Sequence, residues 1–556
     1  MFLKQKYYWT ILFLFCLGTF GVFEFTKQGK EDISSDIVGT NLAAVNYYST
    51  EFPFLNEFKS SNIWVTQDKG VWNTREVDLL DLDPQGWIKS LPNRQSEAQY
   101  REVGTLIFRD HNSYLPGKYI VLYEGEGSLD YGFDGKKNFS LSTPGRDVIE
   151  VEQTSKRGVW LRVTATDPQR TGNYIRNIRI IPEAYEAIAK TEIFNPEFLA
   201  KIQPFGTLRF MDWQETNNSR QKEWSDRPKP EDVRYFELGV PVETMVQLAN
   251  QTNSNPWFTM PHQASDEYIA NFAEYVRDNL KPNLKVYVEY SNEAWNWRFG
   301  QTKWINQQSQ QQWSTVPLNK TDWYSQRTSQ VMQIWDKAFG KKAERVIGVM
   351  AGQAANVEVL EQALSYRWSE VPLTHSEAGI DAIAIAPYFG SYLGSPENAA
   401  AVSAWTEEAD GGKNKLFQEL REGGLVVNSP PGGALAQAYE NIAIHQALAV
   451  TEDLHLLAYE GGQHLAAKLG VENNQAVTEL FIAANRDPRM GEIYTEYLTR
   501  WFELGGDLFL HFNNINAPRK WGSWGALESL YQDGSPKYDA IADFAENSAT
   551  LGQNSN

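Results

Sequence analysis

From Lys201 onward the chain repeats one pattern: a short apolar, β-rich run, a polar loop, then a stretch with apolar residues at helical spacing. A chain built this way has few folds open to it. Parallel strands cannot be joined by tight turns, so each needs a crossover helix that packs back onto the sheet. The runs are Leu208 to Met211, Trp257 to Met260, Val286 to Tyr290, Val346 to Met350, Ala382 to Ala386, Leu454 to Tyr459 and Leu508 to Phe512. An eighth, Val38 to Val45, precedes them, with Phe52 to Lys59 expected as its helix. Eight alternations predict a closed α/β barrel, the (β/α)8 TIM barrel. Among the crossover segments, Asp266 to Asn279 carries Ile269, Phe272, Ala273 and Val276 on one face, and Asp266 and Glu267 complement the dipole at its start. Ser329 to Phe339 and Ile493 to Leu504 read likewise.

The interval between the first and second strands differs in character. Tyr119 to Tyr123, Val148 to Val151, Val159 to Val163 and Ile175 to Ile181 are β-rich. Turn signals separate them at Pro116-Gly117, Gly125 to Gly127, Asp134-Gly135, Pro144-Gly145 and Thr171-Gly172. Residues 78–185 are therefore expected to form an inserted β-sandwich, either a carbohydrate-binding module or a scaffold buttressing one rim. The barrel then occupies residues 36–77 and 186–545, with residues 546–556 as a disordered tail.

Lys4 and Lys6 precede an apolar run from Tyr7 to Phe25, close to the roughly 20 residues that span a bilayer. Residues 1–32 read as a signal peptide or an uncleaved anchor, which places the rest outside the cytoplasm, with membrane contact only through this segment. The single cysteine, Cys16, falls inside it, so the mature domain has neither disulfide nor thiol nucleophile. With 70 acidic against 51 basic residues the formal charge is −19, which repels a phosphate backbone and disfavours nucleic acid as a partner. The 19 Trp, 26 Tyr and 28 Phe offer flat faces suited to sugar rings, although a large aromatic core would use them equally well.

In a parallel barrel the site lies at the carboxyl ends of the strands. The fourth strand runs into Ser291-Asn292-Glu293-Ala294-Trp295-Asn296, and the seventh into Tyr459-Glu460-Gly461-Gly462. Asn-Glu leaving strand four resembles the acid/base signature of the clan A glycoside hydrolases, retaining enzymes built on this barrel. Their nucleophilic glutamate ends strand seven, where Glu460 stands. The resemblance implies that Glu293 is the general acid/base and Glu460 the nucleophile, with a carbohydrate substrate. Retention needs both groups, one carboxylate to attack the anomeric carbon and one acid to protonate the leaving oxygen. Trp295 and Trp297 give Glu293 apolar company that raises a carboxyl pKa. The alternative for each glutamate taken alone is a solvated or ion-paired strand end, and Glu289 reads as a buried partner for a basic residue.

The same resemblance implies substrate-side roles for Asn292 at the sugar 2-hydroxyl, for Tyr388 in orienting the nucleophile and for Arg209 near it, Arg209 being as readily a structural ion pair. Trp521 and Trp524 resemble the aromatic floor of the sugar site, and Trp295 joins them as a substrate-binding residue. His262 sits at a mouth position, either hydrogen-bonded to substrate or satisfied by protein. Asp212 and Trp213 are weaker candidates for the rim. No cofactor or metal is expected: the seven histidines form no paired ligand motif, and no phosphate-cradling glycine loop occurs. Two other readings share the fold: an envelope barrel that binds polysaccharide without cleaving it, and a transglycosylase using the same glutamates.

Overall fold

The computed structural model describes residues 37–553 apart from 94, 317 and 368–373. The expected leader, residues 1–32, lies outside the described residues. Eight strands, Val38–Asn41, Thr207–Arg209, Asn255–Met260, Val286–Tyr290, Val346–Ala351, Ala382–Ile385, His455–Ala458 and Leu508–His511, pair in sequence order and close into a parallel barrel. Closure is made by the first strand on the eighth, in the register Val38 to Phe509 and Thr40 to His511. Every residue of these strands is buried. That accounts for their continuous apolar runs in place of alternation, since helices cover one face and the barrel interior the other.

The crossover helices follow their caps. Ser265 accepts the Tyr268 amide at the head of Asp266–Asn279, which buries Tyr268, Ile269, Phe272, Ala273 and Val276 against the strands. Lys320–Phe339 is longer than the periodicity from Ser329 indicates, because Asn319 and Asp322 form a capping box upstream. Pro488–Glu503 starts on the Asp487 cap with proline in its first turn. Among the described residues no helix is long and apolar enough to cross a membrane.

Three expectations need correction. The segment Phe52 to Lys59 is not a helix: only Glu57–Ser60 forms a single 3-10 turn, capped by Asn56. Phe52 precedes Pro53, which disfavours the helical region, and its φ is +43°. Next, the β-rich insertion reaches further upstream than residue 78, since Val65–Gln67 pairs antiparallel with Glu102–Ile107. Finally, Pro536–Gln553 is helical, so residues 546–553 continue a helix where a tail was expected.

The insertion contains two four-stranded antiparallel sheets. One has the order Val65–Gln67, Glu102–Ile107, Val159–Thr166, Gly127–Phe133; the other Arg176–Pro182, Gly117–Glu124, Arg146–Val151, Gly135–Lys137. Val159, Leu161 and Val163 point inward while Trp160, Arg162 and Thr164 stay half-buried on the opposite face. The inward residues join one apolar cluster with those of the barrel, which ties the insertion to the barrel through packing.

Candidate active site

Arg209 ends the second strand and is fully buried. All five of its N–H donors are used. Nη1 donates to Glu460 Oε1 and to Asn41 Oδ1, both at 2.9 Å. Nη2 donates to Glu289 Oε2 at 2.8 Å and to Asn292 Oδ1 at 2.9 Å, and Nε to Glu289 Oε2 at 3.2 Å. One planar fork thus fixes the carboxyl ends of the first, second, fourth and seventh strands relative to each other. Tyr459 lies against it, with the guanidinium carbon 5.0 Å from the ring centroid. Glu289 is the buried acidic partner expected of it and also accepts from Trp257 Nε1 at 3.0 Å.

Glu460 receives a second bond on its other oxygen, from the Tyr388 hydroxyl at 3.0 Å. Burial raises its pKa, and Arg209 foremost, then Tyr388, pull it back down by stabilising the anion. Burial next to this carboxylate pushes the Tyr388 phenol far up, so it stays a donor. Glu293 has weaker support: its Oε2 accepts only from Asn296 Nδ2, at 2.9 Å. Burial, followed by the charge on Glu460, lifts it to about 7. The two carboxyls therefore occupy one electrostatic field, and of the two it is Glu460 that is held by a cation and a phenol. The backbone that delivers Glu293 is unusual, with φ +64° at Ser291 and +42° at Glu293. Such values for non-glycine residues recur at functional sites.

The Asn292 oxygen is committed to Arg209, which turns its Nδ2 toward Asn217 Oδ1 at 3.1 Å. Gln301 braces this arrangement, donating to Asn217 Oδ1 at 2.7 Å and to the Asn292 carbonyl at 2.8 Å. Asp212 lies within electrostatic reach of Glu460, and burial, then Glu460 and Glu215, raise it to about 7.

The aromatic residues divide. Trp524 is edge-on to Tyr388, with centroids 5.9 Å apart, and 4.9 Å from His464, so it belongs to the wall beside Glu460. Trp521 stands 59% exposed at the tip of the same loop, with the Lys520 ammonium 4.6 Å from its centroid. Trp295 is half-buried, whereas Trp297 is 53% exposed. His262 is buried edge-on to Trp304, and burial lowers it to about 4, which leaves it neutral. Its carbonyl accepts the Tyr290 hydroxyl at 2.8 Å, which makes it a brace for strand four. Trp213 is not at the rim: it is fully buried and packs on Phe54, Phe198 and Phe210.

Asn41, Asn217, Asn296 and Gln301 were not singled out from sequence. Asn41 had a usable signal, a polar residue closing an apolar barrel strand in Gly39-Thr40-Asn41. Asn217 and Gln301 had none, because their contacts span 75 and 84 positions. Among the described residues no group of three or more His, Cys, Asp or Glu is placed to hold a metal ion.

No protein-family model and no curated protein matches the chain. Solved structures similar to it include a Bacteroidetes-affiliated GH5 cellulase, at 10% identity and TM-score 0.37, covering 64% of this chain and 87% of that one. A GH5-4 broad-specificity endoglucanase from Clostridium longisporum gives 10% identity and TM-score 0.38, over 66% and 89% of the two chains. A GH10 structure from Paenibacillus barcinonensis gives 11% and 0.34, over 63% and 92%.

Tyr388→Phe removes a hydrogen bond to a charged oxygen, a contact worth about 1.5–3 kcal/mol. Turnover is expected to fall about 10- to 100-fold, and the acidic limb of the pH–rate profile to move upward as Glu460 becomes easier to protonate. An unchanged acidic limb would mean that the phenol does not hold this carboxylate.

Proposed function

We propose that the chain is a retaining glycoside hydrolase acting on a poly- or oligosaccharide. The observation that carries this reading is the unequal treatment of two carboxyls at the ends of strands four and seven. Glu460 is bonded to a buried arginine and a phenol, while Glu293 is lifted to about 7 with one amide for support. That division is what a two-step displacement requires.

In the first step a Glu460 oxygen bonds to the anomeric carbon as the bond to the leaving oxygen breaks, and Glu293 gives that oxygen its proton. In the second, Glu293 takes a proton from water, whose oxygen replaces Glu460 at the anomeric carbon. A sugar hydroxyl attacking in place of water would give transglycosylation with the same residues. Asn292 is assigned to the hydroxyl next to the anomeric carbon, its amide held by Arg209 and Asn217, and Trp524 to the wall against the sugar. A barrel that only binds polysaccharide has no use for one carboxyl bonded to a buried arginine and a phenol beside another that burial lifts to about 7. We further read residues 1–32 as an export leader or anchor, and the two inserted sheets as a β-sandwich.

The test is a pH–rate profile on an activated aryl glycoside and on a substrate with a poor leaving group. Because Glu293 acts as an acid, kcat/KM on the poor leaving group is expected to fall as pH rises through about 7. Glu293→Ala should abolish that basic limb and cost about 10²–10⁴-fold on the poor leaving group, and much less on the activated one. Equal losses on both substrates would refute the assignment of the acid.

A further inference from the structure

The first inserted sheet carries a second aromatic surface. Trp160 lies on its half-buried outer face, opposite Gly132 on one neighbouring strand and diagonal to Gly104 on the other. A Cβ on Gly132 would come within 2.9 Å of Trp160 Cε3, and one on Gly104 within 2.6 Å of its Nε1. These two glycines let the indole lie down across the sheet, a use of glycine in a strand that its cost to sheet stability otherwise disfavours.

The indole is also pinned at its edge. Nε1 donates to Gln67 Oε1 at 3.2 Å, and Gln67 Nε2 donates to the Trp72 carbonyl at 2.9 Å, so one amide sets both tryptophans. Trp72 packs over the pair: its centroid is 4.9 Å from Trp160 and 5.7 Å from Phe133, the latter stacked at 22°. It remains 43% exposed. Phe133 reaches this face through a backbone with φ +61°. Beside the rings, Arg162 lies over Trp160 at 4.3 Å and is bonded to Glu102 at 3.0 Å and to Asp130.

We propose that this face is a second, non-catalytic glycan-binding site, with Trp72 as the exposed stacking ring, Trp160 and Phe133 packed beneath it as its support, and the Arg162–Glu102–Asp130 network as its hydrogen-bonding rim. The occupant that fits is an uncharged glycan chain. Sugar rings present flat C–H faces to aromatic rings and hydroxyls to a preformed set of donors and acceptors. The Arg162 cation is already neutralised by two carboxylates, and although the Arg157 guanidinium lies 4.3 Å from the Phe133 centroid, the chain as a whole carries −19, so neither a polyanion nor an anionic lipid surface is matched by charge. The preference for a glycan also rests on the reading of the cleft as a glycosidase site.

The test is affinity electrophoresis through gels containing barley β-glucan, konjac glucomannan or xylan, with the Glu460→Gln protein as parent so that turnover does not erode the matrix. At least one polysaccharide is expected to retard the parent. Trp72→Ala, at an exposed position, should weaken that retardation about tenfold, whereas Trp72→Phe should retain most of it. In the otherwise wild-type chain, Trp72→Ala should leave hydrolysis of a small aryl glycoside unchanged. Retardation equal in parent and Trp72→Ala, or no retardation in any of the gels, overturns the proposal. So does co-sedimentation with phosphatidylcholine vesicles that Trp72→Ala abolishes, since it would assign the face to lipid. If Glu460→Gln still turns over the aryl glycoside, the cleft reading fails while the effect of Trp72 on retardation stands on its own.

Discussion

Glu460→Gln is expected to lower turnover of an activated aryl glycoside by about four orders of magnitude, with the thermal unfolding midpoint held or raised. The size follows from what the carboxylate does. An amide cannot form the glycosyl ester, so the first displacement has no nucleophile, and a good leaving group does not compensate. The direction of the stability effect follows from burial. Burial raises the Glu460 pKa despite Arg209 and Tyr388, so the folded protein bears a cost for ionising this group, and that cost grows as pH rises above the ordinary carboxylate range. A neutral amide escapes it, although it no longer offers Arg209 a charge. A second consequence concerns Glu293. Since the charge on Glu460 is one cause of its raised pKa, removing that charge should move its titration downward. Near-wild-type turnover in Glu460→Gln, measured on protein free of wild-type carry-over, would end the proposed mechanism.

The barrel was legible because its strands are buried on both faces. A run such as Val286-Tyr287-Val288-Glu289-Tyr290 has no reason to be apolar throughout unless protein covers both sides, and the resemblance to clan A glycoside hydrolases, followed by counting strands, then pointed to Glu460. The same logic identified Glu289, whose charge inside such a run demanded a buried counter-ion, found in Arg209 at 2.8 Å. What failed was short or sterically decided. Val65–Gln67 is three residues long, two of them polar, and becomes a strand only by pairing with Glu102–Ile107. Phe52 to Lys59 has the composition of a helix, but Pro53 and the Asn56 cap leave room for one turn. Trp521 and Trp524 have nearly the same local context, and the turn between Arg519 and Gly522 sends one to the tip and the other to the wall. The bonds of Asn41 to Arg209 and of Asn217 to Asn292 and Gln301 join partners distant in sequence, which a single sequence does not reveal.

Arg209→Met should be the most destabilising single change in the site, by about 3–5 kcal/mol at neutral pH, because it leaves Glu289 and Glu460 buried without a counter-ion. Methionine approximates the volume, so the loss measures charge and hydrogen bonds in preference to a cavity. The pH dependence separates this from loss of packing. In the wild type, Arg209 lowers both carboxyl pKa values from where burial alone would set them, so its contribution is present where those groups ionise and is lost as pH falls and they take up protons. The deficit of Arg209→Met in urea unfolding should therefore shrink from pH 8 toward pH 5. Adding Glu289→Gln should recover part of it, since one of the two stranded charges is gone and the pair are direct neighbours whose effects do not add. A deficit independent of pH, or a double variant no more stable than Arg209→Met alone, would show that the five-bonded guanidinium acts through packing and that the electrostatic account of the site is mistaken.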